Sequence, residues 1–237
     1  MKHLIEIADS SSLTRVYYDR LILDSSASDV IVKGGGLNTE YVDLGLPNGT
    51  KWAKCNLGAE NETDYGDYFM WGSTSPDNNT DCSWLNAPFN GGNPEYNEEY
   101  FNAHKSEWLD DNDNGFPTLK PEFDAATQIM GGNWRMPTQD DLNELYKYTD
   151  QKWIRDSNFD LIGCKFISTK DTSKYIFIPT SGYRYNSVFD LQGRYGYIWS
   201  SSHHSTQYAW EIYVSSDRIN CIGAGHNDGK PVRGVRE

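Results

Sequence analysis

The sequence predicts an α+β fold, mostly antiparallel β with two helices, preceded by a small β module. Three observations point there. Short segments rich in Val, Ile, Tyr, Phe and Trp recur along the chain, each bounded by clusters of Gly, Asn, Asp, Ser or Pro, which is the pattern of strands and turns. Only two stretches carry helix signals. Just 37% of the 237 residues are hydrophobic but 14% are aromatic, so rings rather than long aliphatic runs must supply much of the core.

Residues 1–36 read as the small module. "HLIEI", "TRVYY", "RLILD" and "DVIVK" are short apolar segments with Ser- and Asp-rich turns between them. Gly34, Gly35 and Gly36 then form a flexible joint, and residues 37–237 make the larger domain. The alternative is that these segments open the sheet of a single domain.

From Tyr41, "YVDLGLPNGTKWAKCNLGA" gives strand, turn and strand. "DYGDYFMWG" is an aromatic run expected to pack as a core strand. Residues 73–120 are polar, with Pro, Asn, Gly and Asp clusters, and read as a long irregular insertion. "EFDAATQIM" is the weaker helix. The stronger one follows the proline of "NWRMPTQDDLNELYKY", where Thr138 sits at the N-cap and Asp141 completes a capping box. Asp140, Asp141 and Glu144 suit the positive end of that helix and Lys147 its negative end. Leu142, Leu145 and Tyr146 are expected on one buried face. From Cys164 onward come strands: "CKFIST", "YIFIPT", "YGYIWSSS", "YAWEIYVSS" and "VRGVRE". Among them "INCIGAGHND", residues 219–228, has neither helical period nor clean strand alternation and reads as a loop.

Charge narrows the function. A net charge of −13 argues against nucleic acid, whose phosphates require a basic footprint, and against an anionic membrane surface. No run reaches the roughly 18–20 apolar residues of a spanning helix, so membrane insertion is not expected. "MKHLIEIADSSS" is too brief an apolar run for a secretory leader, so no signal peptide is visible. The four cysteines, Cys55, Cys82, Cys164 and Cys221, show no zinc spacing; they read as buried free thiols, with one disulfide as the alternative.

Candidate chemistry is thin. His203 and His204 are adjacent and would point to opposite faces of a strand, so one metal would need His226 from elsewhere; ordinary loop histidines are the simpler reading. Asp110, Asn112 and Asn114 with Gly115 fit the first half of a calcium loop, but Pro121 stands where the closing Glu belongs. A solvated acidic loop is the default, with calcium as the one cofactor worth testing. "WSSSHHS" lacks the G-x-S-x-G of a nucleophile elbow, and its serines suit turn hydrogen bonds.

In order, "DLGLPNGTKWAKCNLGA", "DYGDYFMWG", "DAATQIMGGNWRMPTQDDLNELY", "IPTSGYRY", "GYIWSSS", "AWEIYVSS" and "VRGVR" resemble the C-type-lectin-like domains of gut Bacteroidetes and their phages, related to the formylglycine-generating enzyme fold. The resemblance covers residues 41–237. It implies a C-type-lectin-like fold, with Trp134, Trp199 and Trp210 as core or scaffold positions. Arg135, Arg233 and Arg236 would be structural, pairing with carboxylates or carbonyls. The related enzymes use a pair of C-terminal cysteines to bind copper. Here Cys221 has no close partner in sequence, so the resemblance does not carry that catalysis and no enzymatic activity is expected.

One branch of the resembled family is the variable proteins of diversity-generating retroelements, including phage tail adhesins. There a reverse transcriptase randomises Asn codons into residues that exclude Gln, Lys, Glu, Met and Trp. From Ile212 to Gly229 none of these types occurs, though they make up roughly a fifth of an average chain. The branch implies a contact face formed or bordered by His203, His204, Thr206, Tyr208, Tyr213, Arg218, Asn220, Ile222, Ala224, His226, Asn227 and Asp228. Tyr208 and Tyr213 would be its aromatic anchors and Arg218 a charged contact. The expected protein is an adhesin of a phage tail or bacterial surface, gripping a cell-surface protein or glycan receptor. Residues 1–36 would attach or oligomerise it, as a trimer by analogy with phage fibres. The competing classes are a fimbria-like structural domain without diversification and a metal-dependent enzyme of the formylglycine-generating type.

Overall fold

The computed structural model describes residues 3–9, 12–18, 39–111 and 115–237. The chain divides into two compact units, Met1–Leu37 and Asn38–Glu237. In the first, β1 (His3–Asp9) and β2 (Ser12–Tyr18) form an antiparallel hairpin with His3 opposite Tyr18. The expected strands "RLILD" and "DVIVK" and the three glycines 34–36 lie outside the described residues.

The second unit is mostly antiparallel β with three helices, so the α+β class with β dominant holds. β3 (Tyr41–Val42) and β4 (Lys51–Ala53) pair across a turn. β5 is only Tyr68–Phe69, yet Tyr68, Phe69, Met70 and Trp71 are all buried. The aromatic run is core as expected, but its strand stops early. Gly72 turns the chain at φ +90°, and a Cβ there would lie 2.2 Å from the ring of Phe89.

The segment expected to be irregular contains a helix, α1 (Glu98–Trp108). Asn97 caps it by accepting from the Tyr100 amide, Glu98 and Glu99 occupy its first turn and Lys105 its last. Only Phe101 and Trp108 are buried along it, so its apolar stripe is too narrow to stand out in sequence. β6 (Leu109–Asp110) then pairs with β7 (Thr118–Leu119). A 3₁₀ turn at Pro121–Phe123 precedes α2 (Ala125–Met130), where the Asp124 carboxylate accepts from the amides of Thr127 and Met136.

α3 (Gln139–Lys147) carries the full capping box between Thr138 and Asp141. Leu142 and Leu145 are buried, but Tyr146 is 46% exposed, against expectation. Successive helix residues sit about 100° apart, so the stripe centred on Asp141, Leu142 and Leu145 leaves Tyr146 on the flank.

β8 (Thr149–Arg155), β9 (Leu161–Ser168) and β10 (Tyr175–Pro179) form a three-stranded sheet with β9 central. β11 (Tyr183–Tyr185) and β12 (Val188–Asp190) make a small hairpin. β13 (Gly196–Ser205), β14 (Tyr208–Val214) and β15 (Ile219–Gly225) are a meander that β7 and β6 extend to five strands. "INCIGAG" is therefore a strand, not a loop. Every residue of it pairs with β14, from Ile219 opposite Val214 to Gly225 opposite Tyr208. β16 (Lys230–Pro231) pairs with β5 and β17 (Val235–Arg236) with β4, so the last residues of the unit close onto its first strands.

The meander has core on both faces. One face places Trp199, Ala209 and Ala224 against Trp71, Phe101 and Trp108. The other places Ile198, Ile212, Val214 and Ile219 against Leu142 and Leu145 of α3 and Phe166, Ile176 and Ile178 of the three-stranded sheet. Arg135 pairs with Asp141 at 2.6 Å. Buried Arg233 donates to Asn56 Oδ1 and to the Lys54 carbonyl, while Arg236 lies over the rings of Tyr41 and Trp134. All four cysteines are free thiols. Among the described residues no helix is long and apolar enough to cross a membrane.

Candidate binding faces of the C-terminal sheet

In a strand, alternate residues share a face, and directly paired residues face the same way. That rule sorts the residues expected to make one contact face into three groups.

The first group is buried. Ala224 faces the inner cluster opposite Ala209. His226 is 1% exposed, stacked on Trp71 at 4.4 Å between ring centroids. Asn227 is also buried. His203 is half-buried, stacked on Phe101 of α1 at 5.2 Å and 6.0 Å from His226. Burial pushes the imidazole of His203 down to about 4 and that of His226 down to about 3. Both are neutral rings packed against the core, and His226, Ala224 and Asn227 offer no contact surface. Sequence hid this because the "GHND" turn folds inward beneath α1, an element the sequence did not announce.

The second group is open to solvent at one end of the sheet. His204 is exposed and meets Trp210 edge-on at 4.4 Å. Tyr208 is 39% exposed and stands 6.5 Å from His204. Trp210, expected as scaffold, is only half-buried, and the ring of Phe116 lies 5.1 Å from it. Gly223 pairs with Trp210, and a Cβ there would come within 3.2 Å of the His204 ring, so glycine makes room for the histidine. Thr206, in the tight turn that joins β13 to β14, is half-buried, and its carbonyl accepts from the Tyr96 hydroxyl. Tyr208 and Trp210 are two apart in one strand, which is the signal that could have joined Trp210 to the group. Nothing local in the sequence marks Phe116.

The third group lies on the opposite face, toward the other end. Tyr213 packs with Tyr195 at 5.2 Å and Tyr197 at 5.6 Å, and Asn220 sits opposite Tyr213, exposed. Ile222 is 39% exposed opposite Glu211, and Arg218 is exposed in the turn before β15. Beneath these residues is an ion pair that sequence reading passed over. Lys230 Nζ lies 2.6 Å from Glu211 Oε2 and 3.4 Å from Asp228 Oδ2, with both Lys230 and Glu211 buried. Burial raises the Glu211 carboxyl to about 7 against the opposing pull of Lys230. Burial acts to lower the Lys230 ammonium, and the two carboxylates outweigh it to hold the pKa above the ordinary value. Glu211 and Lys230 are 19 residues apart in sequence, so no local pattern links the two.

Cys221 packs against the core on the α3 side, where burial pushes its thiol up to about 12. Among the described residues, no three His, Cys, Asp or Glu side chains gather as a cation site. Of the calcium candidates, Asp110 is in β6 opposite Thr118, while Asn112 and Asn114 lie outside the described residues.

No protein-family model, curated protein or solved structure matches this chain.

Proposed function

We propose that the chain is a non-enzymatic ligand-binding protein of C-type-lectin-like fold, an adhesin of a phage tail or bacterial surface. Its contact surface is the aromatic cluster of Phe116, His204, Tyr208 and Trp210. That cluster is the observation that carries the reading. Aromatic rings left half-exposed beside one another on a rigid sheet present large contact area at little cost in conformational entropy. Tyr and Trp in such positions are the side chains that dominate binding energy at interfaces. The receptor is a cell-surface protein or glycan. Residues 1–36 serve as the attachment or oligomerisation module, in a trimer. Diversification by a retroelement fits best at the outward positions of this face, His204 and Tyr208.

The test is binding of the labelled full chain to a glycan array and to intact cells of gut Bacteroidetes. Tyr208→Ala is expected to weaken binding about tenfold or more with an unchanged melting temperature. Asn220→Ala, on the opposite face, is expected to leave it unchanged. Binding by neither probe, or equal binding by Tyr208→Ala, sinks the reading. Diversification has its own test in the neighbouring DNA, where a reverse transcriptase gene and a near-copy of this gene's 3′ end, differing at adenines, are expected.

A further inference from the structure

Lys230, Glu211 and Asp228 form a group that ligand binding does not use. A buried amine and a buried carboxyl group meet beside a second, half-buried carboxyl group, and rings wall the amine. The Lys230 ammonium is 4.5 Å from the ring centroid of Tyr197 and 5.1 Å from those of Tyr183 and Trp199. Glu211 Oε2 is 2.6 Å from Nζ, so the amine and the carboxyl group are already in contact. Asp228 Oδ2 stands 3.4 Å from the same nitrogen. Two full charges removed from water in this way cost the fold more than a neutral group of the same size would.

We infer that Lys230 and Glu211 condense to an intramolecular amide, with Asp228 as the proton shuttle. The step balances without oxidant or co-reactant. A proton passes from the Lys230 ammonium to the Glu211 carboxylate, leaving a neutral amine beside a neutral acid. Burial raises the Glu211 carboxyl to about 7, which favours this transfer, while the two carboxylates hold the Lys230 ammonium above its ordinary value and oppose it, so the neutral pair is a minor form that the irreversible loss of water drains. The amine lone pair attacks Cδ of Glu211 and the N–C bond forms. Asp228 accepts the proton released from nitrogen and returns it to the departing hydroxyl. The C–O bond breaks and one water leaves. An ammonium and a carboxylate become one neutral amide, which burial favours and which the surrounding rings shield from hydrolysis. The bond ties β14 of the meander to β16, the strand that pairs with β5. A pull on either terminal strand would then be borne by a covalent link as well as by hydrogen bonds.

The experiment is intact-mass spectrometry of the folded full chain, followed by protease digestion and fragment sequencing. The expected mass is that of the sequence less one water, with a branched peptide joining Glu211 to Lys230. Lys230→Met is expected to show no loss. Asp228→Asn is expected to lose water about a hundredfold more slowly after refolding. A wild-type mass equal to that of the sequence overturns the inference. So does a water loss that persists in Lys230→Met, because cyclisation at Asp228–Gly229 also expels one water. A branch joining Asp228 to Lys230 overturns the assignment of Glu211 as the acyl partner. Loss as fast in Asp228→Asn as in the wild type overturns the shuttle.

Discussion

Asp141→Asn is the substitution with the most legible consequence for this fold. The Asp141 carboxylate is buried and accepts from Arg135 Nη1 at 2.6 Å, the Thr138 amide at 2.8 Å and the Thr138 hydroxyl at 2.9 Å. Its other oxygen accepts from Asn48 Nδ2 at 2.9 Å and the Thr50 hydroxyl at 3.0 Å. One side chain therefore caps α3, anchors the turn before β4 and pairs with an arginine. Asparagine keeps the shape but turns one oxygen into a donor, which must then face Arg135 and the Thr138 amide or face Asn48 and Thr50. Breaking one partner of a buried ion pair costs about 3–5 kcal/mol. Arg135 is one-third exposed and can recover some hydration, so the low end applies, about 3 kcal/mol. For a domain of this size that is a fall in melting temperature of about 6–12 °C. The pH dependence has a definite sign. Burial acts to raise the carboxyl, but Arg135 and Thr138 overcome it and hold Asp141 below the ordinary range. A depressed carboxylate contributes stability above its unfolded pKa of about 3.9, and that contribution is lost as pH falls through the folded value. Urea unfolding followed by tryptophan fluorescence, at neutral pH and in acid steps, reads both effects. A loss under about 1 kcal/mol at pH 7, or a gap between wild type and variant undiminished in acid, would refute the reasoning.

Two further outcomes are expected. His226 is held near pKa 3 when folded against 6.5 when free, so between those values only the unfolded chain binds the proton. Stability should rise with pH across that window by up to about 1.4 kcal/mol per pH unit, and His226→Phe should flatten this slope; an unchanged slope in chemical denaturation argues against a neutral core imidazole. Gly72→Ala should cost about 2–4 kcal/mol, because it combines a left-handed backbone with a Cβ driven into the Phe89 ring; a denaturation midpoint near that of the wild type would contradict the turn geometry.

The parts of the fold legible in sequence are those specified within a few residues. The α3 cap was readable because Thr138 and Asp141 satisfy each other across a single turn. α1 was obscured because its signals, Asn97, two glutamates and a terminal lysine, sit among polar residues and only two of its side chains are fully buried. β15 was obscured differently. Its burial switches face along the strand, since one end packs beneath α1 and the other against α3, so no simple alternation survives in "INCIGAG". The expected contact face divided for the same reason, with core, aromatic end and tyrosine end each claiming part of it.

By itself the sequence determined a β-dominant α+β chain, the best-capped helix, the strands flanking the last turns and an acidic character. These follow from periodicity, capping chemistry and charge, which act locally or additively along the chain. Only the tertiary structure decided which side chains of the last three strands meet water. A strand's face is fixed by its partner and by what packs over it, and His226 became core while Trp210 stayed half-buried on that account. It also decided that Lys230 and Glu211 meet, because strand pairing brought together groups that no sequence spacing relates.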